Sequence, residues 1–216
     1  MTVAPLKVHT FPVGPLDVNC YLVHLAGSSE TIAIDPGGNG EMLLHWLQAH
    51  DLKLMAILNT HGHGDHIGAV DFLCAQTGAK FYLHRADVPM LHDPTQNLSV
   101  YFSASVTAKE PDDYLEDGED LQVAHMTLHV LHTPGHSPGG VCLYCAPYLF
   151  SGDSLFQGAI GRTDFPQGSL SKLLQSLHDK VLPLPAETQV LPGHGPATTL
   201  EIERRENPYL TTVPFA

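Results

Sequence analysis

The feature that most restricts this chain is the segment THGHGDHIGA, Thr60 to Ala69, which places His61, His63, Asp65 and His66 within six positions. An uninterrupted apolar run, LKLMAILNT, leads into it, and a helical pattern, IGAVDFLCAQTG, leads out. A buried strand fixes where such a loop begins and a helix fixes where it leaves, so the side chains between them can be held rigidly. Gly62 and Gly64 permit the sharp backbone turns that bring alternate side chains toward one point. Neutral imidazole nitrogens bind zinc or iron at about 2.0–2.1 Å, and a carboxylate oxygen binds at a similar distance. Four side chains so close in sequence rarely surround one ion, so the segment points to two.

Three later motifs supply further donors. HTPGHSPGG offers His136, FSGDSLF offers Asp153 and LPGHGP offers His194, each after an apolar run and each between Gly or Pro residues. Strand ends are where α/β sheets place their functional groups. A carboxylate has two oxygens, which would let Asp153 join a His61, His63, His136 set to an Asp65, His66, His194 set.

The rest of the chain reads as short apolar runs and helical stretches separated by Gly and Pro. NCYLVHL, ETIAID, AKFYLH, YLFSGDSLF and TQVLPGHG have the pattern of strands, and LQVAHMTLHV is expected to be one strand run with polar interruptions. EMLLHWLQAH and LSKLLQSLHDKVL carry helical stripes, Gly78 is placed to cap a helix, and ATTLEIERRENP is a short helix opened by Thr. This alternation indicates α/β layering. From Asp93 to Asp113 periodicity fades, as in a loop over the site. Cys142 and Cys145 form a CxxC, but alternating apolar neighbours put them on a strand, where positions three apart face opposite ways and cannot share an ion. His132 stands four residues before His136 but alternates with Val130 on a strand and is read as a core imidazole or one that supports a ligand, and the nine remaining histidines lack ligand spacing and are read as structural or exposed.

With 216 residues, one domain spanning 1–216 is expected. A formal charge of -13, from 10 basic and 23 acidic residues, argues against a nucleic-acid partner. No apolar run approaches the ~20 residues of a membrane span and the N-terminal stretch lacks signal-peptide character, so a cytoplasmic location without a membrane partner is expected.

THGHGDH, TPGHSPGG, SGDSLF and PGHG, in that order and spacing, resemble the metallo-β-lactamase superfamily over nearly the whole chain. The resemblance implies a four-layer αβ/βα sandwich of two mixed sheets with helices on the outer faces. It also supports the division of His61, His63, Asp65, His66, His136, Asp153 and His194 into two ligand sets. IDPGG matches a further family motif and implies that Asp35 lies behind the metal loop and orients a ligand. β-Lactamases proper commonly have Cys where Asp153 stands, and flavodiiron proteins replace the second His of the first motif with Glu. SGDSLFQGAIGRTDFPQG and PGHGPATTLEIERRENPYL instead resemble the short bacterial branch of the type II glyoxalases, or hydroxyacylglutathione hydrolases.

That resemblance implies a metal-dependent hydrolase that cleaves a small thioester, of the glutathione-derived kind, through hydroxide held by two divalent ions. Zinc is the first expectation, with iron and manganese as alternatives. Asp65 would act as ligand and proton acceptor. Arg162 corresponds to a basic residue that grips the glutathione carboxylate in long members, where a tyrosine commonly stands at the Asp164 position. The long members also carry a C-terminal helical domain that is not expected here. Two alternatives come with the same motifs: a persulfide dioxygenase with one iron on His61, His136 and Asp153, and a non-catalytic module in which ions hold loops. The oligomeric state is not legible.

Overall fold

The computed structural model describes residues 4–102 and 105–211. Among the described residues the first sheet has six strands, β1 (Leu6–Val13), β2 (Val18–Leu25), β3 (Glu30–Ile34), β4 (Lys53–Leu58), β5 (Lys80–Leu83) and β6 (Asp113–Tyr114), ordered as numbered. The second sheet uses β7 (Asp120–Val123), β8 (Met126–His132), β9 (Val141–Cys145), β10 (Tyr148–Gly152), β13 (Gln189–Pro192) and β14 (Thr198–Thr199), in the order β14-β13-β10-β9-β8-β7. A small hairpin, β11 (Leu155–Phe156) and β12 (Ala159–Ile160), sits beside it. Both sheets are mixed: β1 to β3 pair antiparallel and β3 to β6 parallel, while β10 and β13 form a parallel pair in an otherwise antiparallel sheet.

Among the described residues six α-helices complete the layers: α1 (Gly40–Ala49), α2 (Gly64–Ile67), α3 (Val70–Thr77), α4 (Leu170–Ser176), α5 (Leu200–Glu206) and α6 (Pro208–Thr211). Period-two alternation splits each strand between two cores. Cys20, Leu22 and Ala33 pack with Leu43, Leu47 and Leu73 of α1 and α3. Tyr21, Val23, Ile32 and Ile34, their neighbours in sequence, face the other sheet and meet Val130, Leu143 and Phe150. On the far side, Leu131, Cys142 and Leu149 pack with Leu173 of α4 and Leu200 of α5. Three apolar interfaces between four layers make this the αβ/βα sandwich that the motifs implied.

Cys142 joins the outer core and Cys145 packs against the central one, so the CxxC spans two faces of β9 as expected for a strand. Gly78 closes α3 at φ 72°, and its N–H reaches the Cys74 carbonyl at 2.9 Å. Two expectations need correction. The IGAVDFLCAQTG helix is interrupted: the Ala69 N–H goes to the Pro36 carbonyl at 2.9 Å, which separates α2 from α3. LQVAHMTLHV is a hairpin, because Ala124 (φ 50°) and His125 (φ 62°) make a tight turn in the left-handed region, where Gly or Asn is the usual signal.

The segment from Asp93 folds into turns and a short 3-10 helix, Ser99–Phe102, over one end of the sheets; Ser103 and Ala104 of that expected loop lie outside the described residues. No helix of the described residues is long and apolar enough to cross a membrane.

Phe150 is fully buried between the sheets, with Tyr21 edge-on to it at 5.3 Å between ring centroids. Phe150→Ala is expected to lower unfolding free energy by about 3–5 kcal/mol. Chemical denaturation measures it, and a loss below about 1 kcal/mol would show that the two sheets are not held together there.

Candidate metal centre

β3 leads directly into Asp35 and β4 into the loop that begins with Asn59, so two parallel neighbours deliver their following residues to the same edge. Asp35 is buried, in the left-handed region at φ 51°. Its Oδ1 accepts from the Thr60 N–H at 2.7 Å, and its Oδ2 accepts from the Thr60 hydroxyl at 2.7 Å. His66 Nδ1 stands 3.0 Å from the same Oδ2. Asn59 Nδ2 donates to the His66 carbonyl at 2.8 Å, closing the loop on itself. Gly37 is needed for this fit, since a Cβ there would lie 1.5 Å from the Asp65 carbonyl oxygen.

The neighbours of each ring decide which nitrogen is free. The Thr60 hydroxyl spends its proton on Asp35, so at 3.1 Å it can only accept from His61 Nδ1, leaving His61 Nε2 with a lone pair. The Arg162 carbonyl, 2.8 Å from His136 Nδ1, likewise leaves His136 Nε2 unprotonated. Both of these Nε2 atoms lie 2.9 Å from His63 Nδ1. One proton on His63 cannot satisfy two lone pairs, whereas one cation satisfies all three nitrogens.

A second group stands next to the first. His194 Nε2 is 3.3 Å from Asp65 Oδ2, and His66 Nε2 is 3.8 Å from it. Asp153 lies between the groups: its Oδ2 is 3.4 Å from His136 Nε2 and 3.8 Å from His194 Nε2, and its Oδ1 is 3.5 Å from His66 Nε2. The donor atoms of His61, His63 and His136 converge within 4.8 Å, as do those of Asp65, His66 and His194, and those of His61, His66 and Asp153. For comparison, ligands held at 2.0–2.1 Å around a tetrahedral ion stand about 3.3 Å apart. Gly193 gives Asp153 its room, since a Cβ there would lie 2.3 Å from Oδ1.

The electrostatics call for positive charge. His66 Nε2 and Asp153 Oδ1 are buried without hydrogen-bond partners, a costly arrangement unless something else binds them. Burial pulls the His66 imidazole down, but Asp65, Asp35 and Asp153 outweigh it and push the pKa up to about 10. Burial also raises the Asp65 carboxyl, while His66 and His194 more than offset it and hold it well below the ordinary range. Burial lowers His194 too, yet Asp65 and Asp153 leave it raised. His61 and His63, by contrast, are driven well below the usual value by burial and by neighbouring histidines, which keeps them neutral donors. Neutral imidazoles on one side and excess carboxylate on the other fit a pair of divalent cations.

Asp87 carries no signal of its own among the sequence motifs, yet it is central to the site. It lies in a 3-10 helix, Arg85–His92, and is fully buried. Its Oδ2 accepts from the Gly62 N–H at 3.0 Å and the Ser137 hydroxyl at 2.7 Å, and its Oδ1 accepts from the Gly139 N–H at 2.5 Å. One carboxylate therefore ties the His61–His63 loop to the His136 loop. The only hint in the sequence is an acid set among Val88, Met90 and Leu91. Burial raises its pKa against those three hydrogen bonds. The C-terminal ERREN stretch plays a similar bracing role. Glu203 Oε2 accepts from the Gly158 N–H at 2.9 Å, and Asn207 Nδ2 donates to the Ala159 carbonyl at 3.1 Å. These bonds hold the β11–β12 hairpin beside the site.

The cluster opens into a cavity of about 990 Å³. His63, Asp65, His136, Asp153 and His194 form its floor, and Leu16, Met90, Leu98, Phe102, Phe156 and Phe165 are among its walls. Thr95, Gln96 and Tyr101 bring the 93–113 segment to its rim. Arg162 also lines it, but its side chain is exposed: Nε and an η nitrogen donate to the two Asp164 oxygens at 3.0 and 2.9 Å, and the guanidinium lies 4.4 Å from the Phe165 ring centre.

A sequence profile of the metallo-β-lactamase superfamily matches residues 13–194. The chain belongs to that superfamily. A probable metallo-hydrolase of Bacillus subtilis, YqgX, is 41% identical over 95% of this chain and 98% of its own. The hydroxyacylglutathione hydrolase GloC of Haemophilus influenzae is 35% identical over 96% and 99%. Among solved structures, BLEG-1 B3 metallo-β-lactamase has a TM-score of 0.90 at 43% identity, covering 95% of this chain and 100% of that one. TTHA1623 in a di-iron-bound form has a TM-score of 0.84 at 40% identity, over 94% and 100%. ETHE1 from Myxococcus xanthus has 0.76 at 27%, over 94% and 83%. A superfamily member with this His and Asp cluster is a metallo-hydrolase in its broad class, built for divalent metal.

The Asp87 bridge has a measurable consequence. Asp87→Asn replaces one acceptor by an amide donor facing N–H groups and is expected to weaken metal retention about 10–100-fold. Chelator competition followed by elemental analysis reads this, and wild-type retention would show that the two loops do not depend on Asp87.

Proposed function

We propose that this chain hydrolyses thioesters of the hydroxyacylglutathione type, with His61, His63 and His136 holding one divalent cation, Asp65, His66 and His194 a second, and Asp153 shared between them. The observation that carries the reading is the pair of converging donor groups with Asp153 between them at the floor of an open cavity. Divalent cations there would lower the pKa of water and polarise a carbonyl oxygen. Zinc, iron and manganese all suit imidazole and carboxylate donors, and the di-iron form of TTHA1623 keeps iron in consideration.

The side chains divide the remaining work. Thr60 and the Arg162 carbonyl keep His61 and His136 in the tautomer that presents Nε2, and Asp35 faces the far side of His66. In the overall change, water oxygen bonds to the acyl carbon, the carbon–sulfur bond breaks, and sulfur leaves with the electron pair. With Oδ2 turned toward His66 and His194, the other Asp65 oxygen would take the proton that water loses and, because neighbouring imidazoles make the carboxylate a weak base, pass it on to the departing sulfur. A thiolate needs little help to leave, since its conjugate acid is comparatively strong. No Ser or Cys nucleophile is required, and Cys142 is a buried thiol pushed up to about 11 by burial.

A persulfide dioxygenase with one iron on His61, His136 and Asp153 would leave Asp65, His66 and His194 with no ion to hold. Oxygen uptake with a persulfide tests that alternative. Turnover of a β-lactam tests a further alternative, since BLEG-1 B3 metallo-β-lactamase is 43% identical to this chain.

Metal-loaded protein is expected to turn over S-D-lactoylglutathione saturably, with thiol release lost on metal removal. No thiol release by protein carrying two ions would reject the reading. His63→Ala or Asp153→Ala is expected to abolish turnover with the circular-dichroism spectrum retained, and full activity in a metal-depleted variant would contradict it.

A further inference from the structure

We infer, resting on the thioester reading above, that among the hydroxyacyl thioesters this site hydrolyses, it prefers those whose thiol half is apolar and uncharged to the glutathione ester, which it still turns over, and that Asp164 sets this preference by occupying Arg162. Arg162 is the only Lys or Arg that lines the cavity among the described residues. A thiol half that bears carboxylates, as glutathione does, needs cationic or N–H partners when it leaves water, because an unpaired buried charge is costly. Arg162 offers its fork to Asp164 instead, with both carboxylate oxygens engaged at 3.0 and 2.9 Å. The face of the guanidinium is covered by Phe165.

The other polar groups at the rim are neutral and partly spent. Gln167 Nε2 donates to Gln96 Oε1 at 3.0 Å, joining the loop after Arg162 to the 93–113 segment across the mouth. Around them stand Met90, Leu98, Phe102 and Phe156, a surface whose contribution to binding is removal of apolar area from water. The formal charge of -13 further opposes approach of an anion. Hydrolysis itself is the same for either thiol: the acyl–sulfur bond breaks, an acyl–oxygen bond forms from water, the thiol keeps one proton, and the acid releases the other to solvent.

The test uses metal-loaded, full-length protein and two esters with one acyl group, S-D-lactoylglutathione and the D-lactoyl thioester of benzyl mercaptan. The readout is the ratio of their kcat/KM values. Wild type is expected to favour the benzyl ester at least tenfold. Asp164→Ala and Asp164→Asn, which free the Arg162 fork from an exposed ion pair, are expected to move the ratio toward glutathione about threefold to fivefold, chiefly through a lower KM for that ester. Adding Arg162→Ala to Asp164→Ala is expected to reverse the shift. Turnover of both esters without preference, or a ratio that Asp164 substitution leaves in place, overturns the inference alone. Turnover of neither ester by wild type carrying two ions overturns the thioester reading and the inference with it.

Discussion

The structure depends on the charge balance around His66. A fully buried imidazole is surrounded by Asp35, Asp65 and Asp153, with Nε2 and Asp153 Oδ1 lacking hydrogen-bond partners. Such an arrangement is expensive in a protein interior unless cations complete it. Much of the local architecture makes the arrangement possible. The parallel pairing of β3 and β4 sets Asp35 beside the loop from Thr60. The parallel pairing of β10 and β13 sets Asp153 beside His194, with Gly193 leaving room for the carboxylate. Two sheets packed face to face then bring these pairs to a common edge.

The same logic explains why the site is open. The clustered His and Asp side chains come from loops at strand ends, so they are rigid at their roots and accessible at their tips. The walls come from segments with less regular structure, held by a few strong contacts. Asp87 joins two ligand loops, and Glu203 with Asn207 holds the hairpin that carries Phe156. Charge is concentrated on the floor of the cavity, and apolar side chains surround it.

The side chains that cluster at the site were legible because the signal is local: the first four occupy six positions, and each later one stands between Gly or Pro after an apolar run. The layered α/β class was legible from periodicity, whereas the four-layer packing came from family resemblance. What stayed hidden was set by long-range or unusual backbone contacts. Asp87 contacts residues 25 to 52 positions away, and its own surroundings in sequence carry no pattern. The Ala124–His125 turn lacks the glycine or asparagine that would mark it, and α2 separates from α3 because Pro36 approaches from the loop after β3. β1 is an edge strand in which Val13 alone is fully buried, so its periodicity is weak. Arg162 is visible as a basic residue in sequence, but its pairing with Asp164 emerges from the fold.

The most direct test of the central claim is a count of metal ions. Apo-protein titrated with zinc and freed of excess ion by equilibrium dialysis should retain two ions per chain by elemental analysis. Saturation at one ion per chain, or failure to retain any, would contradict a centre in which Asp153 stands between two cations.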